Sequence, residues 1–191
     1  MSGRCGASIS PKSRRCSSKS SLPMGEVTVR LLWQIQEAVH RRTGEIALQH
    51  PDWPCRQGCD ECCRHLAAAP AVTAVEWRKI AAALCGLPAE RAAEVRRLIR
   101  DSAGASRPVV CPLLDTGSGS CLIYEARPVE CRAYGFYAER DCVLGCSRIE
   151  AIGRRSPDVI WGNQIALENH LRSLGPAAPL DEWLASEGTE A

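Results

Sequence analysis

The stretch Cys55-Arg56-Gln57-Gly58-Cys59-Asp60-Glu61-Cys62-Cys63 places four cysteines within nine positions. A Cys-x-x-Cys step lets two thiolates converge on one ion while nearby backbone N–H groups point at the sulfurs, and zinc sites and iron–sulfur centres both use it. Pro51 and Pro54 lie just upstream and break any helix entering the segment. The stretch therefore reads as a metal-bearing loop, with the rest of the chain as its scaffold. The adjacent pair Cys62–Cys63 carries extra information. Neighbouring side chains diverge, so the pair suits ligands to two metals, or one ligand beside one packing residue, better than two ligands of one ion.

Five more cysteines follow in segments that also read as loops: Cys111, Cys121, Cys131, Cys142 and Cys146. Nine loop cysteines exceed the four that a zinc ion or a single cubane needs, and eight would serve two four-ligand sites. One or two metal sites are therefore expected, each drawing on both halves of the sequence. The candidate ligands are Cys55, Cys59, Cys62, Cys63, Cys111, Cys121, Cys131 and Cys146, with Cys142 as an additional candidate. Cys85 lies in a helical pattern and reads as a small core residue. Cys5 and Cys16, which complete the twelve cysteines, fall in an N-terminal tail. That tail has no apolar segment of the secretory type, so a reducing, cytoplasmic setting is expected, in which clustered cysteines argue for metal chemistry over structural disulfides.

Working outward, residues 26–43 carry Leu31, Leu32, Ile35, Ala38 and Val39 at helical spacing, and Gly44 is placed to end that helix. Thr73 and Glu76 form the S/T-x-x-E signature of a helix start, and Trp77, Ile80, Ala81 and Leu84 continue as an apolar stripe to Gly86. Pro88 opens a third helix with Ala92, Val95, Leu98 and Ile99 on its inner face. Residues 109–124 read as a hairpin, with arms Val109–Leu114 and Cys121–Tyr124 that set Cys111 and Cys121 on neighbouring strands. Irregular chain is expected through Cys131, Cys142 and Cys146. A last long helix is expected near 157–174, capped by Ser156, with Ile160, Leu167, Leu171 and Leu174 on one face, and a short turn of helix over 180–186. The expected fold is mainly α: an irregular helical domain of about four helices, with a small β-hairpin and cysteine-rich metal-binding loops. It forms a single domain over residues 24–191.

The composition agrees with a globular helical chain of 191 residues, long enough to bury a core without cysteine staples. The net charge of +2 is unevenly placed. Residues 1–23 hold Arg4, Lys12, Arg14, Arg15 and Lys19 and no acid, so the remainder is mildly acidic and offers no basic face for nucleic acid. The Ser- and Gly-rich tail reads as a disordered basic segment, loosely like a transit peptide, with Met24 as an alternative start. No run approaches the ~18 apolar residues of a membrane span.

The pattern Cys-x-Gly-Cys-x-x-Cys-Cys at 55–63, Cys-Pro-Leu-Leu at 111–114 and Cys-x-Ile-Tyr-Glu-x-Arg-Pro-x-x-Cys-Arg at 121–132 resembles the CxxCxxCC family, also called the YkgJ-like cysteine-cluster family. The resemblance runs over roughly residues 50–150, includes a late cysteine at Cys146, and is most specific over Cys121–Arg132. It implies chelation of zinc or iron and no settled reaction. The family's name has two residues between its first cysteines where Cys55 and Cys59 have three, and Cys142 is extra, so Cys55 and Cys142 are interchangeable candidates. The same cluster occurs in flagellin lysine N-methylase, a longer protein, which adds an association with protein lysine methyl transfer.

Arg127 and Arg132 flank Cys131 in the matched motif, and a thiolate-rich centre is negative, so both are candidates to stabilise it. Tyr124 is placed to donate to a sulfur or to pack the hairpin. Three other motifs are weaker. Leu113-Leu114-Asp115-Thr116-Gly117-Ser118 looks like an aspartic-protease loop, but that chemistry needs two carboxylates sharing a proton in a β-rich fold. Asp115-Thr-Gly-Ser-Gly is similar to the glycine loop of S-adenosylmethionine enzymes but leads into Cys121-Leu-Ile-Tyr instead of a helix. His65 follows the first cluster, where thiolates are already in surplus, and suits a surface or capping role.

The sequence thus points to metal binding by thiolates. A [4Fe–4S] centre is favoured over zinc, because the thiolates are many, largely without histidine, and followed by basic residues. A redox module, a structural or metal-handling zinc protein, and a methyl-transfer enzyme remain the function classes, with a non-enzymatic role favoured.

Overall fold

The computed structural model describes residues 25–140 and 142–187. The basic tail expected over 1–23, with Cys5 and Cys16, lies outside them. Among the described residues there are eight α-helices: α1 (Glu26–Gln49), α2 (Glu61–Arg64), α3 (Ala74–Cys85), α4 (Ala89–Asp101), α5 (Val129–Ala133), α6 (Ser147–Arg155), α7 (Gln164–Arg172) and α8 (Leu180–Ser186). The chain is mainly α, as expected, but with more and shorter helices than four. Three small sheets tie them together. Strand β1 (Ala71–Thr73) pairs antiparallel with β7 (Ala177–Pro179), and β2 (Leu114–Asp115) pairs antiparallel with β3 (Ser120–Cys121). In the third sheet β4 (Tyr137–Glu139) lies between β5 (Cys142–Val143), antiparallel to it, and β6 (Gly162–Asn163), parallel to it.

Helix α1 runs through Gly44 and gains a further turn. A helical glycine costs about 1 kcal/mol relative to alanine. The added turn buries Ile46, which is 1% exposed, and full burial of such a side chain contributes roughly 1.5–3 kcal/mol. Packing therefore outweighs the local preference. Helix α3 follows the sequence reading closely. Trp77, Ile80, Ala81 and Leu84 are all buried, and Glu76 reaches back to the Thr73 backbone N–H to complete the capping box. In α4 only Val95 and Ile99 are buried, while Ala92 and Leu98 are half-buried.

Three expectations are corrected. The hairpin is shorter than the sequence suggests: Leu114 pairs with Cys121, and Val109 instead bridges to Leu66. Cys111 therefore lies before the hairpin, not on its strand. The segment around Cys131 and Cys146 is not irregular, since Cys131 lies within α5 and Cys146 caps α6. These helices have five and nine residues, too short for a 3.6-residue period to be read with assurance. Finally, the helix expected over 157–174 starts only at Gln164. Ser156 ends α6, and Asn163 is the true cap, its side chain accepting the Ala166 N–H at 3.0 Å. Ile160 is exposed, because the chain is extended there and enters β6, where Gly162 N–H donates to Phe136 O at 3.0 Å. The short helix at 180–186 forms as expected, as α8.

Buried side chains form two cores. The first gathers Leu32, Ile35 and Val39 of α1 with Trp53, Val129, Phe136, Ile149 and Leu167. The second gathers Trp77, Ile80 and Leu84 of α3 with Val95, Ile99, Leu113, Ile123 and Leu180. A hydrogen bond from Trp53 Nε1 to Gly135 O, 3.2 Å, anchors the chain just before the first cysteines. No helix among the described residues is long and apolar enough to cross a membrane.

Candidate metal centre

The first cysteine segment is a turn followed by a single turn of helix. Gly58 has φ +88°, a conformation that glycine adopts without the steric penalty of a side chain. Cys59 N–H closes the turn on Arg56 O at 3.0 Å. The segment then enters α2, which carries Cys62 and Cys63, and Arg64 Nε holds Asp60 at 2.5 Å. His65 Nδ1–H donates to Glu61 O at 2.9 Å, at the exposed end of that helix, which is the capping role its position suggested.

Five of the nine loop cysteines sit in or against the two cores, and Cys55, Cys59, Cys62 and Cys131 share one cleft. Cys55 and Cys146 pack against the first core, and Cys55 interacts electrostatically with Cys59, Cys146 and Cys62. Cys111 is part of the second core, and Cys63 and Cys121 pack against it. Backbone bonds fix this second trio. Cys111 N–H donates to Cys63 O at 2.7 Å, Leu114 N–H donates to Cys111 O at 3.0 Å, and Leu114 is paired with Cys121. Cys131 interacts with Cys63, Cys62 and Cys121. The Cys62 and Cys63 sulfurs lie 3.9 Å apart, so the two side chains do not diverge as adjacency suggested. What separates them is that only Cys63 packs against the second core. Cys142 is exposed on strand β5 opposite Glu139 and does not line that cleft.

Cys55, Cys59, Cys62 and Cys131 line a cleft of about 330 Å³ that is also lined by His40, Thr43 and Gly44 of α1. Gly135, with φ +84°, backs onto Cys55: a Cβ there would run into its Sγ. That residue was not legible as part of the site, because nothing local to it announces the contact.

The thiols resist ionisation. Burial, and then the neighbouring Cys59, Cys146 and Cys62, push Cys55 up to about 12. Cys63 is also pushed up to about 12, first by its hydrogen bond with Cys111. Cys62, through its bond with Cys63 and then burial, and Cys131, through burial and then its thiol neighbours, rise well above the ordinary thiol range, and burial raises Cys121. Crowded, desolvated sulfurs of this kind hold their protons until a cation replaces them. Among the described residues no three Cys, His, Asp or Glu side chains converge tightly enough to ligate one ion as they stand. The residues fit a metal through their donor chemistry, a concentration of soft thiols with opposing cations, and coordination requires the sulfurs to draw in.

Those cations are specific. Arg127 lowers the pKa of both Cys121 and Cys131, and Arg148 lowers that of Cys55. Arg127 lies 3.5 Å over the Tyr124 ring and donates Nε to Tyr124 O at 3.0 Å, so Tyr124 serves as its platform. Arg132 is a brace: Nε donates to Arg127 O at 3.0 Å and a terminal nitrogen donates to Glu125 O. Arg148 and Tyr134 were missed in the sequence. Tyr134 sits in the cleft wall, its pKa raised by partial burial and then by Cys62, Cys146 and Cys55. For Arg148, two positions after Cys146, the same cue that drew attention to Arg132 was present.

The protease-like loop has another use. Asp115 accepts from Ser118 at 2.6 Å and from Arg91 at 3.0 Å, and Ser118, the Gly117 N–H and Arg91 hold its carboxyl below the usual range. It closes the β2–β3 turn.

A helical scaffold whose loops gather thiols from distant segments, with arginines beside them, defines a metal-chelating cysteine-cluster protein. The CxxCxxCC family, described as "Putative zinc- or iron-chelating domain", matches residues 54–153, and the chain belongs to it. Searches of curated proteins and of solved structures returned no match.

Proposed function

We propose that the chain holds an iron–sulfur centre or zinc through the thiolates of Cys55, Cys59, Cys62, Cys63, Cys111, Cys121, Cys131 and Cys146. The observation that supports this reading is the match to a zinc- or iron-chelating family over residues 54–153, together with Cys55, Cys59, Cys62 and Cys131 lining one cleft. A bound centre supplies either a one-electron couple, if it is a cluster, or a fixed cross-link between the helices, if it is zinc. Histidine-poor ligation and the positions of Arg127 and Arg148 favour a cluster of the [4Fe–4S] type, whose negative charge guanidinium groups offset. A reducing compartment such as the cytoplasm suits thiols that must remain unoxidised.

The Asp115–Gly119 segment is the turn of a hairpin and leads into β3, not into a helix. That context gives no support to an S-adenosylmethionine loop, and the reading favours a binding or electron-transfer role over methyl transfer. Anaerobic purification followed by an absorption spectrum and analysis for iron, zinc and sulfide tests it. Iron with sulfide and a dithionite-bleached colour supports the cluster. Stoichiometric zinc in a colourless protein supports the zinc alternative. Folded, reduced protein without affinity for either metal rejects the reading.

A further inference from the structure

We propose that the pocket between α1, α7 and the β4–β6 pair is a binding site for a small organic acid, a carboxylate head on an apolar body. The pocket has a volume of about 450 Å³ and shares no lining residue with the cysteine cleft, which keeps it separate from the metal reading. Sites for small molecules run from roughly 300 to 1,000 Å³ and combine apolar walls with a few placed polar groups.

Tyr137 is the residue that points to a ligand. It is 7% exposed, yet its hydroxyl has no hydrogen-bond partner among the described residues. A buried tyrosine hydroxyl ordinarily finds one. The ring lies against Gly162, where a Cβ would stand 2.5 Å from Cε1, Cε2 and Cζ of the phenol. The hydroxyl end is therefore at the part of the pocket wall that Gly162 forms. Burial raises the Tyr137 pKa, against a smaller opposing pull from Arg42, so the hydroxyl remains a donor at neutral pH.

The charge around it selects the ligand. Arg41 and Arg42 line the pocket with one carboxylate, Glu45, which pairs with Arg42 at 2.9 Å. Arg41 has no carboxylate partner among the described residues. Two guanidiniums against one carboxylate leave one positive charge in excess. That excess suits the single charge of a carboxylate, which a guanidinium fork receives through paired N–H donors, over the double charge of a phosphate monoester. Asn163 accepts the Ala166 N–H at 3.0 Å through Oδ1, which leaves its amide nitrogen as a further donor on the lining, and His170 adds a ring nitrogen. Ile35, Val39, Leu167 and Trp161 supply apolar wall for the body of the ligand. The Trp161 ring is held against Trp53, with centroids 5.5 Å apart.

Isothermal titration calorimetry of the reduced full-length chain with benzoate tests this, with benzamide and phenyl phosphate in separate arms. Benzoate should saturate at one per chain and bind about tenfold more tightly than benzamide, its uncharged counterpart, or phenyl phosphate. Tyr137→Phe keeps the ring over Gly162 and removes the hydroxyl, so benzoate should bind about tenfold more weakly. Arg41→Met should weaken it by a similar factor. Arg41 is exposed, so this variant keeps the test decisive even if the tyrosine variant fails to fold, which circular dichroism shows. Arg56→Ala, in the cysteine cleft, should leave the benzoate affinity unchanged. Absence of saturable benzoate binding overturns the proposal. So do equal affinity for benzamide, tighter binding of phenyl phosphate, or folded Tyr137→Phe and Arg41→Met variants that bind benzoate as the parent does. Loss of binding in Arg56→Ala places the acid in the cysteine cleft and overturns it as well. Metal content, read separately, decides the metal reading and is expected to be the same in Tyr137→Phe as in the parent.

Discussion

Glu76 and Val129 are 53 positions apart, and Glu76 Oε1 accepts the Val129 backbone N–H at 2.9 Å. The other carboxylate oxygen takes the Thr73 N–H at 3.0 Å and the Thr73 hydroxyl at 2.8 Å. One buried side chain therefore both starts α3 and fixes the start of α5, two residues before Cys131. Removing it leaves donors without partners in a dry setting, at about 1–3 kcal/mol each. Glu76→Ala should lower stability by roughly 3 kcal/mol and reduce metal content. Denaturant unfolding with parallel metal analysis checks this, and Glu76→Gln should recover part of the loss.

Gly135 should tolerate no side chain. Its positive φ alone costs a non-glycine residue about 1–2 kcal/mol, and a Cβ would meet the Cys55 sulfur. Gly135→Ala is expected to lose metal from the Cys55 side while the secondary structure persists. Metal stoichiometry measured beside a circular dichroism spectrum tests this, and an unchanged stoichiometry would count against Cys55 as a ligand.

Alkaline pH should destabilise the reduced, metal-free protein. The folded-state pKa values of Cys55 and Cys63 are about 12, above the ordinary value of 9.0. For groups raised on folding, the stabilising contribution is complete below the unfolded value and is lost as pH rises through the folded one. Melting temperature should therefore fall from about pH 9 toward pH 12. Metal-loaded protein should lack this decline and should instead lose metal on acidification, as protons compete for the sulfurs. Parallel melts of the two forms across that range decide it.

Arg127 and Arg132 should separate by readout. Arg127→Ala removes a cation beside Cys121 and Cys131 and should weaken metal retention by about 10- to 100-fold. Arg132→Ala frees the carbonyls of Glu125 and Arg127 and should act mainly on stability. Metal-exchange rates compared with unfolding midpoints distinguish the two; equal effects on both quantities in both variants would remove the distinction.

The Thr73–Glu76 box, the α3 stripe, the Pro88 start and the short final helix were legible because each depends on residues within a turn or two of one another. The cysteine loops were legible for a chemical reason: soft donors at close spacing have few other uses. The helices around Cys131 and Cys146 were not, since five and nine residues carry too little periodicity, and their stability comes from Val129, Ala133 and Ile149 entering the first core. The overreach of the last predicted helix has the same origin. Ser156 and Pro157 look like a helix start, but pairing of Gly162 with Phe136 and Tyr137 holds that stretch extended. The sequence by itself determined the donor chemistry and the helical class. Which cysteines share a core, that Cys62 and Cys63 meet instead of diverging, and that Glu76 and Gly135 support the site were decided by tertiary contacts, because packing and burial act between residues that no local spacing relates.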